Sequence, residues 1–186
     1  MNPRPPQPDA ASAEALPHEL PRGVSVIMYR NGHFAISQRL NVEKHKGLYQ
    51  FAGGHVEHGE TTFRAAQREL IEETGLSLLA ERFIFLGKTG PLTGYKGEQY
   101  IGHRFAVVLT DQEEPQRTEP DKATAWTWYH ADAMVGLAML QQTQNFAYAF
   151  HAGYSALRAR LATLEAENAE LKRSAKMSLN SYLDQP

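Results

Sequence analysis

Short runs of apolar residues, rich in β-branched and aromatic side chains, alternate with polar turns through much of the chain. The runs at 24–30 and 34–39 are separated by Asn31-Gly32-His33. Asn-Gly between such runs predicts a β-hairpin, because both residues tolerate a positive φ. The same pattern predicts further strands at 48–52, 82–88, 99–110 and 125–129, with loops at 89–97 and 111–122.

The hydrophobic period becomes that of a helix after the third run. Phe63, Ala66 and Leu70 recur at helical spacing. A threonine at 61 or 62 is suited to cap the start of this helix, and Gly75 is suited to end it. The predicted order begins with strands, contains one short helix and ends with a long helix. This order is typical of an α+β fold with a mixed sheet.

The composition limits the partners and the setting of the chain. A formal net charge of −2 over 186 residues argues against nucleic acid as the main partner and against a role at a membrane surface. No run approaches the ~18 apolar residues that span a bilayer. With no cysteine in the chain, we expect a cytoplasmic protein in which any metal is held by oxygen or imidazole.

Glutamates are crowded into the segment 53–76. On a helix, Glu69, Glu72 and Glu73 stand at i, i+3 and i+4, so their carboxylates share one face and repel one another unless a positive charge lies between them. A hard divalent cation, Mg²⁺ or Mn²⁺, suits such a face. A solvated acidic face with Arg68 as its internal partner fits these residues equally well.

The spacing within this segment resembles the Nudix box. The residues that match its defined positions are Gly54, Glu60, Arg68-Glu69-Leu70, Glu72-Glu73 and Gly75-Leu76. The chain is therefore similar to the Nudix hydrolase superfamily, and 119–128 resembles a late segment of its MutT-like subgroup. Ala52 departs from the pattern, since family members commonly have proline there.

This resemblance implies a Nudix-type α/β/α sandwich and Mg²⁺-dependent hydrolysis, with Mn²⁺ as a substitute, of a nucleoside diphosphate linked to another group. In the MutT-like subgroup the expected substrate is a nucleoside triphosphate, normal or oxidised, and the products are the monophosphate and pyrophosphate. A hydrolase of nucleotide sugars or other nucleoside diphosphate derivatives is the nearest alternative. A nucleotide-binding sensor with little turnover is another.

The resemblance also implies roles by motif position. Glu72 or Glu69 would accept the proton of the attacking water, and Arg68 would steer a box glutamate by ion pairing. Glu60 would orient the site or act as an accessory ligand. The residues expected to hold the metal are the Gly53 carbonyl and the carboxylates of Glu69, Glu72 and Glu73.

Four residues outside this helix are candidates for binding the substrate. The family often places a basic residue near the phosphates at the position of Arg39, and related enzymes present a side chain to the base or sugar at the position of Gln50. His55 follows the glycines, within reach of a phosphate or ribose. Trp128 is a candidate for base stacking, with packing in the core as the alternative.

The apolar positions of the last helix follow a heptad pattern. They are Leu157, Leu161, Leu164, Asn168, Leu171 and Ala175. Asparagine at an a position favours a two-stranded register, and Arg160 and Glu167 at g would face Glu165 and Lys172 at e of a parallel partner. We therefore expect a homodimer, with an amphipathic helix packed on its own domain as the alternative.

These patterns divide the chain into four parts. Six of the ten prolines lie in residues 1–21, which we expect to form a disordered arm. The Nudix domain is expected at 22–150, the C-terminal helix with its coiled-coil pattern at 151–176, and a flexible tail at 177–186.

Overall fold

The computed structural model describes residues 20–40, 46–93, 97–139 and 141–183. Most of the predicted N-terminal arm lies outside the described residues. The secondary structure in chain order is β1 (Arg22–Arg30), β2 (His33–Gln38), β3 (Tyr49–Gln50), α1 (Thr62–Thr74), a 3-10 turn (Ala80–Arg82), β4 (Ile84–Thr93), β5 (Gln99–Val108), β6 (Thr127–His130), a second 3-10 turn (Ala131–Met134) and α2 (Gln141–Leu183).

The described strands form one mixed sheet, as the sequence predicts. Its order is β3-β2-β1-β5-β4, and β6 pairs with β2. β1 and β5 are parallel, while the other pairs are antiparallel. The predicted hairpin joins β1 to β2, with a φ of 47° at Asn31 and 83° at Gly32.

Each face of the sheet is covered by one helix. On one face, Leu70 of α1 packs in a cluster with Val26 of β1. On the other face, Phe150 of α2 packs in a cluster with Ile27 of β1. Successive strand residues point to opposite faces, so β1 supplies both cores. This arrangement confirms the predicted α/β/α sandwich.

The strand predicted at 82–88 begins and ends later in the structure, and it is longer than predicted. Its first residue belongs to the 3-10 turn, and β4 runs from Ile84 to Thr93, into the predicted loop at 89–97. Two irregularities in its pairing with β5 accommodate the glycines of this stretch. β4 lies at the edge of the sheet, where bulges and proline are tolerated, so Pro91 does not end the strand.

The C-terminal helix extends past both of its predicted boundaries. α2 begins at Gln141 rather than at 151 and continues to Leu183, through most of the tail predicted as flexible. Gly153 weakens the helix without ending it, and no proline follows before Pro186. Despite this length, the described part of the chain contains no helix apolar enough to cross a membrane.

Charged side chains fix the segment between β5 and β6. Arg82 forms a bidentate ion pair with Glu113. Arg30 pairs with Glu114 at 2.6 Å, and its guanidinium carbon lies 4.0 Å from the centre of the Trp128 ring. The segment therefore follows a defined path past the end of α1.

Glu113→Gln should destabilise the protein by about 1–2 kcal/mol at pH 7, because it removes a charge-assisted bidentate pair. The hydrogen bond from Arg82 lowers the pKa of Glu113 from its ordinary value of 4.5 to about 2. An acid with a lowered pKa in the folded state stabilises the fold above its unfolded pKa and loses that effect as the pH falls. Urea unfolding should therefore show the deficit shrinking between pH 4.5 and pH 2. Glu81→Gln, on the exposed 3-10 turn, is the matched control, and a deficit independent of pH would contradict the account.

Candidate active site

Helix α1 begins and ends where its capping residues predict. The side chain of Thr61 accepts a hydrogen bond from Arg64 N at 3.2 Å. Gly75 adopts the left-handed conformation, with a φ of 71°, and donates to the Ile71 carbonyl. Ala66 and Leu70 are fully buried against the sheet. Of the glutamates in the last two turns, Glu72 is exposed, whereas Glu69 and Glu73 are partly buried beside this face.

The diglycine Gly53-Gly54 lies directly against two of these glutamates. Flanking hydrogen bonds from β1, Val26 N to the Ala52 carbonyl and Val24 N to the Gly54 carbonyl, hold the turn on the sheet. Gly53 N donates to Glu73 Oε2 at 3.0 Å. A Cβ added at Gly54 would lie 2.3 Å from Glu69 Oε1, so only glycine leaves room for that carboxylate.

Arg68 is the centre of the acidic cluster. Its guanidinium donates to both carboxylate oxygens of Glu60 at 3.1 Å. Its Nη1 donates to Glu69 Oε1 at 2.8 Å and to Glu72 Oε2 at 3.1 Å. Its Nη2 also donates to the His55 carbonyl. Arg68 therefore links Glu60, Glu69 and Glu72 to one another and to the diglycine loop.

The three glutamates predicted to share a metal are thus divided between two places. Glu69 and Glu73 approach the diglycine, and Glu69 also pairs with Arg68. Glu72 pairs with Arg68 and keeps a side chain 52% exposed. Within the ranges that the structure describes, no three acidic or histidine side chains converge closely enough to enclose a metal ion.

The electrostatics at the diglycine favour a cation. Burial, opposed by the hydrogen bond from Gly53 and reinforced by the charges of Glu69 and Glu119, raises the pKa of Glu73 to about 8. Burial also raises the pKa of Glu69. Both carboxylates lie toward the C-terminal end of α1, where the helix dipole disfavours negative charge.

This donor set fits a Mg²⁺ ion without a closed cage. Mg²⁺ prefers oxygen ligands, retains several waters and is commonly held by one or two carboxylates together with substrate phosphates. Glu69 and Glu73 supply two such carboxylates, and the absence of a side chain at Gly54 leaves room for that of Glu69.

A cleft opens beside Glu73. Gln50, a predicted substrate residue, lines it, and so do Glu119, Lys122 and Trp126 from the segment 119–128 that resembles the MutT-like subgroup. Arg117, which the sequence analysis did not single out, also lines it. Glu119 acts on both buried glutamates, since its charge raises the pKa of Glu69 and of Glu73. Lys122 donates a hydrogen bond to the Glu119 carboxylate, and this bond raises the pKa of Lys122.

The wall of this cleft caps the C-terminal end of α1. Thr118 Oγ1 donates to the Glu72 carbonyl, and Trp126 Nε1 donates to the Glu73 carbonyl at 3.1 Å. Gln116 N donates to the Thr74 carbonyl at 2.8 Å. The last carbonyls of a helix have no partner within it, so this segment satisfies them and positions the cleft against the acidic turn.

The other predicted substrate residues have different surroundings. Burial raises the pKa of Glu73, and the charge of Arg39 opposes this rise. Arg39 also forms a backbone β-bridge to Ala123 of the cleft wall, which places it beside the site. His55 is exposed and lies 3.9 Å from Glu98, outside the cleft lining. Trp128 contacts Arg30 and donates to Glu114, so Trp126 is the tryptophan that faces the cleft.

The family model for the NUDIX domain matches residues 19–151, so the chain belongs to the NUDIX domain family. The RNA pyrophosphohydrolase of Bartonella bacilliformis is 27% identical over 150 residues, 68% of this chain and 85% of that protein. The CTP pyrophosphohydrolase of Escherichia coli is 36% identical over 61 residues, 33% of this chain and 45% of that protein.

Among solved structures, the fold is similar to a MutT NUDIX hydrolase from Burkholderia pseudomallei, with a TM-score of 0.61 and 23% identity over 70% of this chain and 98% of that one. At this identity the likeness shows the fold. Together with the family match and the box, it makes this chain an enzyme that acts on pyrophosphate bonds.

Gly54→Ala should lower pyrophosphohydrolase activity at least ~10-fold, because the added methyl displaces the Glu69 carboxylate from the diglycine. The fold should persist, since the atom displaced is the end of a side chain. Steady-state rates and thermal unfolding would be measured together.

Gly153→Ala is the matched control, because nothing lies within 4 Å of a Cβ at that position. Wild-type activity in Gly54→Ala would show that the Glu69 carboxylate does not need its place beside Gly54.

Proposed function

We propose that this enzyme hydrolyses nucleoside triphosphates, normal or oxidised, to the monophosphate and pyrophosphate in a Mg²⁺-dependent reaction. The observation that carries the proposal is the juxtaposition of Glu69 and Glu73 with a cleft that holds two cationic side chains and an indole. The name of the Escherichia coli relative, a CTP pyrophosphohydrolase, supports the choice of substrate class.

The cleft offers each part of such a nucleotide a suitable partner. Arg39, Arg117 and Lys122 supply positive charge for the phosphate chain. The indole of Trp126 supplies an apolar surface for the base, and Gln50, which lines the same cleft, supplies amide donors and acceptors.

In the proposed reaction, the carboxylates of the Nudix box have separate roles. Glu69 and Glu73 would hold the cation, which when bound would neutralise phosphate charge and lower the pKa of a water. Glu72 accepts the proton of the attacking water, because its carboxylate reaches solvent while Arg68 fixes its direction. Glu119 adds a third negative group on the cleft side of the site.

Hydrolysis of the pyrophosphate linkage of an RNA is the second candidate. It is favoured by the Bartonella bacilliformis relative, an RNA pyrophosphohydrolase that aligns over most of its length. The acidic net charge of this chain favours the free nucleotide.

A substrate panel separates these functions. Mg²⁺ would be supplied with the four ribonucleoside triphosphates, their oxidised forms, a 5′-triphosphorylated oligoribonucleotide and nucleotide sugars. Pyrophosphate release from free triphosphates supports the proposal, and preference for the oligonucleotide supports the second candidate. Cleavage of nucleotide sugars alone, or tight binding without turnover, would contradict both.

Glu73→Gln should reduce turnover at least ~10²-fold while leaving the fold intact, because it removes charge that holds the cation during the reaction. Rates would be followed across a Mg²⁺ titration, with Glu81→Gln as the control. A rate near that of the wild type would refute the assignment of Glu73.

Trp126→Ala should raise KM for the triphosphate about 10-fold, as expected when base stacking is lost. Trp126→Phe should retain much of the affinity. Trp128→Ala should leave KM unchanged and lower the melting temperature, because that ring packs with Arg30. An equal increase in KM for Trp126→Ala and Trp128→Ala would indicate that the base does not bind against Trp126 in the cleft.

A further inference from the structure

The leucine stripe on α2 is exposed over its whole described length. Leu157 is 67% exposed, Leu161 45%, Leu164 43% and Leu171 70%. Every side chain from 155 to 173 is exposed. The alternative in which this part of the helix packs on its own domain is therefore wrong for the described residues.

The leucine stripe continues the face of α2 that packs against the sheet of the catalytic domain. Ala147 and Phe150, with Tyr154 beside them, belong to the core cluster on that face of the sheet. Their positions extend the heptad of Leu157 and Leu161 backwards at spacings of 3, 4 and 3. The same apolar seam therefore packs against the sheet at 147–154 and is exposed to solvent at 157–171.

We propose that the seam from Leu157 to Leu171 binds the same seam of a second copy of this chain as a parallel, in-register two-stranded coiled coil. Asn168 stands at an a position, where it can pair with its own counterpart across a parallel dimer. Glu165 and Lys172 at e would face Arg160 and Glu167 at g of the partner.

The structure shows these g side chains on one edge of the seam, with Arg160 Nη1 3.8 Å from Glu167 Oε1. Their charges are opposite, and so are those of the e side chains that they would face, so the pattern is self-complementary in a parallel pair. The exposed stripe is only about 21 Å long at 1.5 Å per residue. We therefore expect a reversible dimer that forms with increasing protein concentration.

The absence of cysteine from the chain permits a direct test of partner and register. Full-length Asn168→Cys should form a disulfide-linked dimer under mild oxidation, because a residues of a parallel coil face each other. Ala166→Cys, on the outer side of the helix, is the matched control and should remain largely unlinked.

Light scattering over a concentration series tests the association itself. Leu164→Glu should weaken the dimer at least ~10-fold, and Ala162→Glu, which adds the same charge off the seam, should not. A monomer at every concentration would overturn the proposal. So would a cross-link that forms only when the Asn168→Cys variant is mixed with a Leu157→Cys variant, because that pairing indicates an antiparallel dimer. These readouts are independent of catalysis and of its substrate.

Discussion

Repulsion between carboxylates held in a small volume is the constraint on which the active site depends. Arg68 relieves it on one side by pairing with Glu60, Glu69 and Glu72. On the other side, burial beside the diglycine raises the pKa of Glu73, and the charges of Glu69 and Glu119 add to the rise. The fold thus concentrates negative charge that its own cations do not balance there, and this imbalance is what a divalent ion bound with a phosphate chain would remove.

The wall of the cleft is hydrogen-bonded to the last turn of α1, which carries Glu72 and Glu73. The segment from Gln116 to Trp126 satisfies the carbonyls at the end of α1, and Arg82 and Arg30 anchor the preceding residues to the sheet. Because the indole of Trp126 hydrogen-bonds the carbonyl of Glu73 itself, the surface proposed to hold the base is fixed relative to the carboxylate proposed to hold the metal. Such preorganisation is what a hydrolytic site requires.

Features encoded over short distances could be predicted from the sequence. The hairpin at Asn31-Gly32, the caps of α1 and the burial of Ala66 and Leu70 each follow from local conformational preference or from periodicity. The pairing of Arg68 with the glutamates was one of two open interpretations, because spacing places these side chains on one face without saying which cation lies among them.

Features that depend on tertiary contacts could not be predicted from the sequence. Trp126 and Trp128 lie two apart in an extended stretch, so sequence places both on one side and cannot say which reaches the cleft. Glu119 is far from the box in sequence, and only the path of the 111–126 segment brings its charge to Glu73. The length of β4 depends on its pairing with β5 across irregularities, and the start of α2 depends on packing against the sheet.

The most direct test of the central claim is a Mn²⁺ titration followed by electron paramagnetic resonance, in the absence of nucleotide. If Glu69 and Glu73 hold the ion, the wild type should sequester Mn²⁺, and replacing both side chains with glutamine should abolish that binding, whereas Glu57→Gln should preserve it. Equal Mn²⁺ binding by the double variant and the wild type would contradict the account.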